Sequence, residues 1–300
     1  MARNAYLALV MVQVFYGLLP VAGKTVFVDL DALAMTAVRV CGGAALFVGY
    51  HRMRGGDWPQ AGQWSPIAGL ATLGILVNMG LFALGLQWTH PVNATLIITI
   101  IPVTTYLVAV LLGRETIGPR RLAGILLALL GAVWIIGLGG FESDRRRMIG
   151  DILVLINALS FSVFLVLSKP WAERHGVLRL NVWMFVVAGL VFLPIGLLVD
   201  APAQVAAAAP PTLAWLAFIV LGPTVGAYIL NATALRRVPS STVAAFIYLQ
   251  TPISALAAWL VLGSLPGWEI VPAAVLILAG VGIVARFRDR PGVPRPAPGP

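Results

Sequence analysis

The sequence predicts an all-α integral membrane protein with ten transmembrane helices, arranged as two inverted repeats of five. Three observations support this fold class: the composition, the number of long apolar segments, and the similarity of the two halves. Of the 300 residues, 60% are hydrophobic and 10% are charged, and the mean hydropathy is +0.94. Soluble domains carry about 25% charged residues. A chain this apolar therefore needs a bilayer to cover its surface.

Ten apolar segments have the length of a membrane span. A hydrocarbon core of about 30 Å needs about 20 apolar residues per helix. The predicted spans are residues 5–23, 32–50, 65–86, 91–111, 121–139, 149–168, 181–199, 212–234, 240–262 and 267–285. Nine further spans follow the first, so we expect the first to be an uncleaved signal-anchor rather than a signal peptide.

The two halves repeat one pattern, most clearly late in each half. The segment IPVTTYLVAVLLG has a counterpart in TPISALAAWLVLG, and Pro102 and Gly113 recur 150 positions later as Pro252 and Gly263. Five spans per repeat is an odd number, so the second repeat enters the membrane from the opposite side. Inverted repeats of this kind hold a substrate site near the membrane midplane. We expect the first repeat at residues 1–145 and the second at 146–287. A Pro-rich tail at 288–300 is expected to be disordered and cytoplasmic.

The positive charges indicate an orientation. With the N-terminus in the cytoplasm, fifteen of the 20 Lys and Arg residues lie on the inner side and four on the outer side, while Arg39 lies within a span. The positive-inside rule then predicts that both termini lie in the cytoplasm. The expected location is the inner (plasma) membrane, which the chain crosses several times. The net charge of +9 thus reflects membrane orientation, and no nucleic-acid partner is expected.

Motifs of membrane-embedded enzymes are missing from the sequence. It has no HExxH, no GxGxxG and no Gly-rich phosphate loop, and its single cysteine, Cys41, excludes a cysteine-based metal site. We therefore predict no catalytic residues, no metal and no cofactor. The chain is expected to transport a small molecule rather than to act as an enzyme.

Polar and aromatic side chains deep in the spans are the candidates for substrate binding. Such groups are costly in lipid and tend to face a cavity or a partner helix. The predicted substrate-binding residues are Gln13, Tyr16, Asn78, Phe82, Thr95, Thr99, Asn157, Phe161, Tyr228, Asn231, Tyr248 and Gln250. Amides, hydroxyls and rings suit a neutral or zwitterionic metabolite. For each residue the alternative is an interhelical hydrogen bond.

Five further residues are predicted to gate the pathway or to support the fold. Arg39 either binds a substrate carboxylate or holds helices together, because a charge at a span centre must find a partner or water. Lys24 and Lys169 end the first span of each repeat, where they either extend to the membrane surface or contact a gate. Pro102 and Pro252 each remove a backbone donor and are expected to kink paired helices that rock during transport.

The spans have no Asp or Glu near their centres. Many proton-coupled carriers use such a carboxylate as a relay. The pattern thus favours a facilitator or exchanger. A proton-driven drug or metabolite exporter, a channel-like protein and a membrane protein without transport activity stay open as alternatives.

The pattern resembles the EamA type of the drug/metabolite transporter superfamily over residues 5 to 285. The similar features are Arg39 in AVRVCGG, the segments NATLIITIIPVTTYLVAVLLG and STVAAFIYLQTPISALAAWLVLG, and the Gly-rich ends LLALLG and LILAG. One departure is Arg114, which stands before Glu115 where the family often has Glu directly after Leu-Gly; the second repeat has Ser264-Leu265 there and no Glu.

The resemblance implies a carrier of small metabolites, often amino acids and often outward. The branches that export aromatic or other neutral amino acids are the nearest analogy. Sugar phosphates and nucleotide sugars, which similar proteins also carry, would favour more than one intramembrane cation. The expected partners are a small-molecule substrate and the lipid bilayer, and the chain is either a monomer or a homodimer.

Overall fold

A computed structural model describes residues 2–89, 94, 97–116, 118–136, 145–262 and 270–286. All regular secondary structure in these residues is helical, and they contain no strand. Thr95 and the predicted tail at 288–300 lie outside the described residues.

Fourteen α-helices are described. They are α1 (Ala2–Val26), α2 (Ala32–Met53), α3 (Trp64–Ala71), α4 (Val77–Trp88), α5 (Ile101–Leu111), α6 (Pro119–Ile136), α7 (Arg145–His175), α8 (Val177–Leu198), α9 (Ala201–Ala207), α10 (Pro210–Ile219), α11 (Ala227–Leu235), α12 (Ser240–Ala245), α13 (Gln250–Leu262) and α14 (Ile270–Arg286). Two π-helical segments, Thr72–Leu76 and Val220–Gly226, join α3 to α4 and α10 to α11, and a 3₁₀ turn at Phe246–Leu249 joins α12 to α13.

Several of these helices run on into one another and have the length of a membrane span. Seven continuous stretches are long and apolar enough to cross a membrane: Asn4–Val26, Ala32–Met53, Ala61–Trp88, Arg145–His175, Val177–Leu198, Pro210–Leu235 and Ser240–Val261. Ile101–Leu111 and Ala274–Arg286 are shorter apolar helices. The all-helical membrane fold is thus confirmed, while the count of ten spans stays a prediction.

The helix ends define two faces of the bundle. The face that carries the start of α1 and the end of α14 is called the terminus face. The opposite face, which carries Lys24 near the end of α1, is called the Lys24 face. Side-chain contacts agree with this assignment: Tyr6 Oη donates to the Ala285 carbonyl on the terminus face, 2.8 Å away.

Helices pack against their counterparts from the other repeat. The last helices of the two repeats, α6 and α14, form one such pair, and α2 and α8 form another. The backbones of α6 and α14 touch: a Cβ atom on Gly280 would lie 2.5 Å from the Gly124 carbonyl oxygen and 2.6 Å from the Ala128 nitrogen. Small residues allow this close approach in membranes. Only glycine fits at this crossing without moving the helices apart.

The two π segments occupy equivalent places, one in the third helical stretch of each repeat. A π turn widens the helix, and such turns cluster at functional sites. Backbone carbonyls of the first segment, Thr72–Leu76, accept hydrogen bonds from the second repeat. Tyr228 Oη donates to the Gly74 carbonyl, and Ser160 Oγ donates to the Leu73 carbonyl at 2.8 Å.

The second π segment, Val220–Gly226, is held by Arg39. The Nε atom of Arg39 donates to Thr224 Oγ1 at 2.7 Å, and its Nη2 atom donates to the Pro223 carbonyl at 3.4 Å. Each repeat therefore supplies side chains that stabilise the irregular helix of the other repeat. The irregular backbone is tolerated at membrane depth because these donors satisfy its oxygens.

The paired prolines follow a break in regular helix. Thr99 and Ile100 form a turn, and Pro102 is the second residue of α5. Pro252 is the third residue of α13, directly after the 3₁₀ turn at Phe246–Leu249. Proline is tolerated in a first turn, where its missing N–H group would be unpaired anyway. The interruption thus precedes each proline, at equivalent places in the two repeats.

Candidate substrate cavity

A central cavity lies between the two repeats. Its volume is about 80 Å³. Both repeats contribute to its wall. The lining residues are Tyr16, Gly17, Leu19, Pro20, Arg39, Asn78, Met79, Phe82, Leu86, Ala94, Ile98, Ile101, Asn157, Phe161, Ile247, Gln250 and Ser254. Seven of them are residues that the sequence predicts as binding or gating residues.

The central cavity extends from mid-membrane toward the Lys24 face. Leu86 lies two residues before the end of α4 on that face, and Pro20 lies six residues before the end of α1. Phe161 and Ile247 line its deep end. No described residue between this deep end and the terminus face is among the lining residues. The conformation therefore places the cavity on the Lys24 side of the midplane.

Arg39 supplies the positive charge of the central cavity. Its side chain is 4% exposed, and two of its nitrogens are bonded to the second π segment. A guanidinium has five N–H donors, so the bonds to Thr224 and Pro223 leave donors for the cavity that Arg39 lines. The two predicted roles of Arg39 are therefore compatible in one geometry. No Asp or Glu is among the described lining residues.

Amide side chains form another polar part of the cavity wall. Gln250 Nε2 donates to Gln13 Oε1 at 2.7 Å, and Asn157 Nδ2 donates to the Asn78 carbonyl at 2.6 Å. Each bond joins helices from different repeats. Because these amides use their nitrogens in the bonds, their own oxygens are left to accept hydrogen bonds from a ligand. Rings of Tyr16, Phe82 and Phe161 complete the wall.

Comparison with known proteins identifies the family of this chain. The model of the EamA-like transporter family matches residues 3–137 and 148–286. The chain belongs to the EamA-like transporter family. It is a multi-pass membrane protein of that transporter family, as its apolar helices also indicate.

Relatives of this EamA-like transporter carry transporter names. An "uncharacterized transporter" of Archaeoglobus fulgidus is 26% identical over 229 residues, which cover 76% of this chain and 78% of the relative. YyaM of Bacillus subtilis, also named an uncharacterized transporter, is 21% identical over 71% of this chain and 70% of its own length. A solved crystal structure superposes with a TM-score of 0.75 at 19% identity, over 94% of this chain and 96% of the other chain, which shows a shared fold.

Other predicted binding residues of this EamA-like transporter lie outside the central cavity. Tyr228 and Asn231 line a separate cavity of about 10 Å³, and Gln13 lines another of the same size. A space this small holds about one water molecule. Thr99 is 4% exposed, and it lines neither the central cavity nor these two small cavities. Tyr248 is fully buried, and among the described residues its hydroxyl has no hydrogen-bond partner.

The two predicted gate lysines differ in environment. Lys24 is exposed on the Lys24 face. Lys169 Nζ donates to the Leu235 carbonyl at 2.5 Å and to the Val238 carbonyl at 3.1 Å, and it forms an ion pair with Glu173 at 3.2 Å. Lys169 therefore caps the end of α11 on the terminus face, which is a favourable place for a cation.

Sequence reasoning missed a buried polar cluster on the terminus face. The carboxylate of Glu115 accepts hydrogen bonds from Ser240 Oγ and from the Ser241 backbone nitrogen, each at 3.2 Å, and from Ser241 Oγ. It also forms an ion pair with Arg121 at 3.0 Å, and Arg121 Nη2 donates to Thr242 Oγ1 at 2.5 Å. We call these five residues the Glu115 cluster.

The Glu115 cluster joins the two repeats at the start of α12. The Arg121 side chain is 1% exposed and the Glu115 side chain 7%. A carboxylate is stabilised at a helix N-terminus, where Glu115 lies. The serine-rich start of the ninth predicted span is the sequence feature that could have indicated this cluster. The cluster lies at the start of α12, between the terminus face and Ile247, which lines the deep end of the central cavity.

Proposed function

We propose that this transporter is a secondary carrier, not an enzyme, which moves small neutral amino acids across the inner membrane by alternating access. The central cavity carries the proposal: it lies between the repeats and combines one arginine with amides and aromatic rings. We further propose that both termini are cytoplasmic, that the terminus face is the inner face, and that the net direction is export.

The charges of the cavity favour a zwitterion. A carboxylate would pair with Arg39, because a guanidinium matches a carboxylate with two parallel hydrogen bonds. An ammonium group would donate to the amide oxygens of Asn157 or Gln250, which lie on the lining. An apolar side chain would contact Phe82 and Phe161. A purely cationic substrate would be repelled by Arg39.

The volume of the cavity favours a small amino acid. One water needs about 10–15 Å³ of a cavity, so a cavity of this volume holds roughly five to eight water-sized groups. That is the number of non-hydrogen atoms in the smaller neutral amino acids. A nucleotide sugar exceeds it several-fold. The absence of an acidic group from the described lining supports a facilitator or exchanger that needs no proton gradient.

The test is transport by the purified protein in proteoliposomes. We expect saturable uptake of a labelled small neutral amino acid, faster when unlabelled substrate is inside and unchanged by a pH gradient. The amide derivative of the same amino acid, which lacks the carboxylate, should compete at least tenfold more weakly. Absence of uptake for every amino acid of a full panel would discard this substrate class. Uptake without acceleration by internal substrate would indicate a channel.

Arg39→Gln provides a second test of the same site. The loss of the cation should raise KM for the amino acid at least tenfold and remove the preference over its amide. Arg52→Gln removes an equal charge at the exposed end of the same helix and should change neither quantity. Equal effects of the two variants, or a preference that survives Arg39→Gln, would contradict carboxylate binding by Arg39.

A further inference from the structure

A second, larger recess lies on the outer surface of the bundle near the terminus face. One wall consists of α3 and the first π segment, and the other consists of the last third of α7. Arg114, from the turn after α5, and Arg174, from the end of α7, lie at this recess, which has a volume of about 460 Å³. We call it the arginine groove. It is separate from the central cavity, with which it shares no lining residue.

The arginine groove runs along the membrane normal. On α7 its lining extends from Arg174 to Leu167, and on the other wall it extends from Pro66 to Leu73. Each of these eight-residue stretches has seven steps, which rise about 10 Å at 1.5 Å per step. The groove thus descends about 10 Å from the terminus face into the apolar layer. Its walls below the arginines are apolar, with Leu73, Leu167 and Trp171 half-buried.

A proline in α7 fixes Arg114 in this groove. Pro170 lies inside α7 and has no N–H group, so the carbonyl of Val166, four residues earlier, loses its helical donor. Arg114 Nη1 replaces that donor at 2.6 Å. One bond of five possible N–H donors leaves most of the guanidinium unused. Burial lowers the pKa of Arg114, and the nearby carboxylate of Glu173 opposes this effect.

The remaining charges leave the groove positive. Glu173 pairs with Lys169 one turn earlier at 3.2 Å, so these two charges cancel. Arg174 is exposed, and within the described part of the chain it has no hydrogen bond or ion pair. Two positive charges therefore lie at the terminus-face end of a groove whose other lining residues are apolar.

We infer that the arginine groove binds one anionic phospholipid, whose phosphate contacts Arg114 and Arg174 and whose acyl chain lies on Leu73, Leu167 and Trp171. The charges and the apolar wall match the two parts of such a lipid, and basic pockets between membrane helices bind anionic headgroups. Arginine recognises phosphate with paired hydrogen bonds. Trp171 has the amphipathic ring that is typical of the membrane interface. A free phosphate would leave the apolar wall without a partner.

Native mass spectrometry of the full chain tests this inference. The protein is equilibrated in detergent with phosphatidylglycerol and phosphatidylcholine of identical acyl chains. We expect wild type to retain one phosphatidylglycerol with at least tenfold preference. A basic residue at the membrane surface contributes about fivefold in affinity, so Arg174→Gln should weaken retention about fivefold and Arg114→Gln/Arg174→Gln about 25-fold. Arg174→Gln alone also covers the case in which the Arg114 variant fails to fold, since Arg174 supports no described contact.

The matched control is Arg52→Gln/Arg286→Gln, which removes two exposed arginines from the same face. It should retain phosphatidylglycerol as wild type does. Equal retention of the two lipids by wild type would overturn the inference, as would equal loss in the control and the groove variants. Displacement of the lipid by millimolar inorganic phosphate would also overturn it, because the site would then recognise the anion alone.

Discussion

The two faces of the bundle join the two repeats by different means. On the terminus face, an ion pair of the first repeat, Glu115–Arg121, is almost fully buried. Its two side chains form hydrogen bonds with the start of α12 in the second repeat, and these bonds join the repeats. On the Lys24 face, the repeats are joined at the periphery. There Asp29 accepts hydrogen bonds from Thr212 and from the Ala209 backbone nitrogen, and Gln204 Nε2 donates to Asp31 at 2.8 Å.

This difference indicates which face opens first. Electrostatic contacts are stronger where water is excluded, so the buried cluster resists separation more than partly exposed carboxylates do. The cavity lies toward the Lys24 face, where its lining near the surface is apolar. Under the proposed orientation, the structure is therefore a conformation whose inner side is closed. Four experiments test the comparison, in decreasing order of expected effect.

The largest effect is expected from Glu115→Gln. Removing the carboxylate leaves Arg121 as a buried charge, and such losses cost about 3–5 kcal/mol. Equilibrium unfolding in detergent measures the change. The matched control is Asp57→Asn, which breaks the ion pair with Arg179 on the same face, where the side chains are 77% and 46% exposed. That loss should be at most about 1 kcal/mol. Similar losses for the two variants would show that the cluster is not desolvated.

A smaller effect is expected where the repeats meet at the first π segment. Tyr228→Phe leaves the Gly74 carbonyl without its donor, which should lower the free energy of unfolding by about 1–3 kcal/mol. Tyr248→Phe removes a buried hydroxyl that has no partner among the described residues. Tyr248→Phe should leave the free energy of unfolding unchanged or raise it. The reverse order in an unfolding titration would contradict the assigned hydrogen bond.

Chemical labelling compares access from the two faces directly. In a Cys41→Ala background, Ser254→Cys places a thiol on the cavity wall, and Ala244→Cys places one in α12 next to the Glu115 cluster. A membrane-impermeant maleimide added on the Lys24 side should modify the thiol at position 254 at least tenfold faster than the thiol at position 244. Faster labelling of position 244 than of position 254 by reagent added on the terminus-face side would mean that the terminus face is the open one.

The smallest effect concerns acid. Asp29 accepts hydrogen bonds from Thr212 and from the Ala209 backbone nitrogen, and these bonds lower its pKa below the ordinary value of 3.8. A depressed folded-state pKa adds stability above the unfolded value, and this stability is lost as the pH falls through the folded value. Thr212→Val should therefore move the acid unfolding transition slightly to higher pH. Superimposable acid unfolding curves would show that this contact does not hold the Lys24 face.

Hydropathy predicted most helices because membrane spans need long apolar runs. The predicted spans 32–50 and 181–199 lie close to α2 and α8. The π segments could not be predicted in this way, since glycine and proline inside an apolar run do not reveal which carbonyl pairs with which nitrogen. Gly74 and Pro223 were visible in the sequence, but their hydrogen bonds depend on Tyr228 and Arg39 in the other repeat.

The candidate site was predictable in part, because depth within a span indicates burial but not what a side chain contacts. Depth and spacing selected Asn78 and Asn157, which line the central cavity. The same criteria selected Tyr228, which bonds to a backbone carbonyl away from it. A single sequence does not tell which side of a helix faces a partner. Glu115 falls between the predicted spans 91–111 and 121–139, which gave no sign that its side chain is buried.

The π segment at Thr72–Leu76 has a consequence for insertions and deletions. Elsewhere in a membrane helix, deleting one residue rotates all later side chains by about 100° relative to the earlier ones, since an α-helix has 3.6 residues per turn. A turn closed by an i→i+5 bond holds one residue more than an α turn. Deleting one residue there would convert it to a regular α-helix and leave α3 and α4 nearly in place. The chain would keep its fold and lose the widened turn, so length variation in evolution is expected to concentrate at this position.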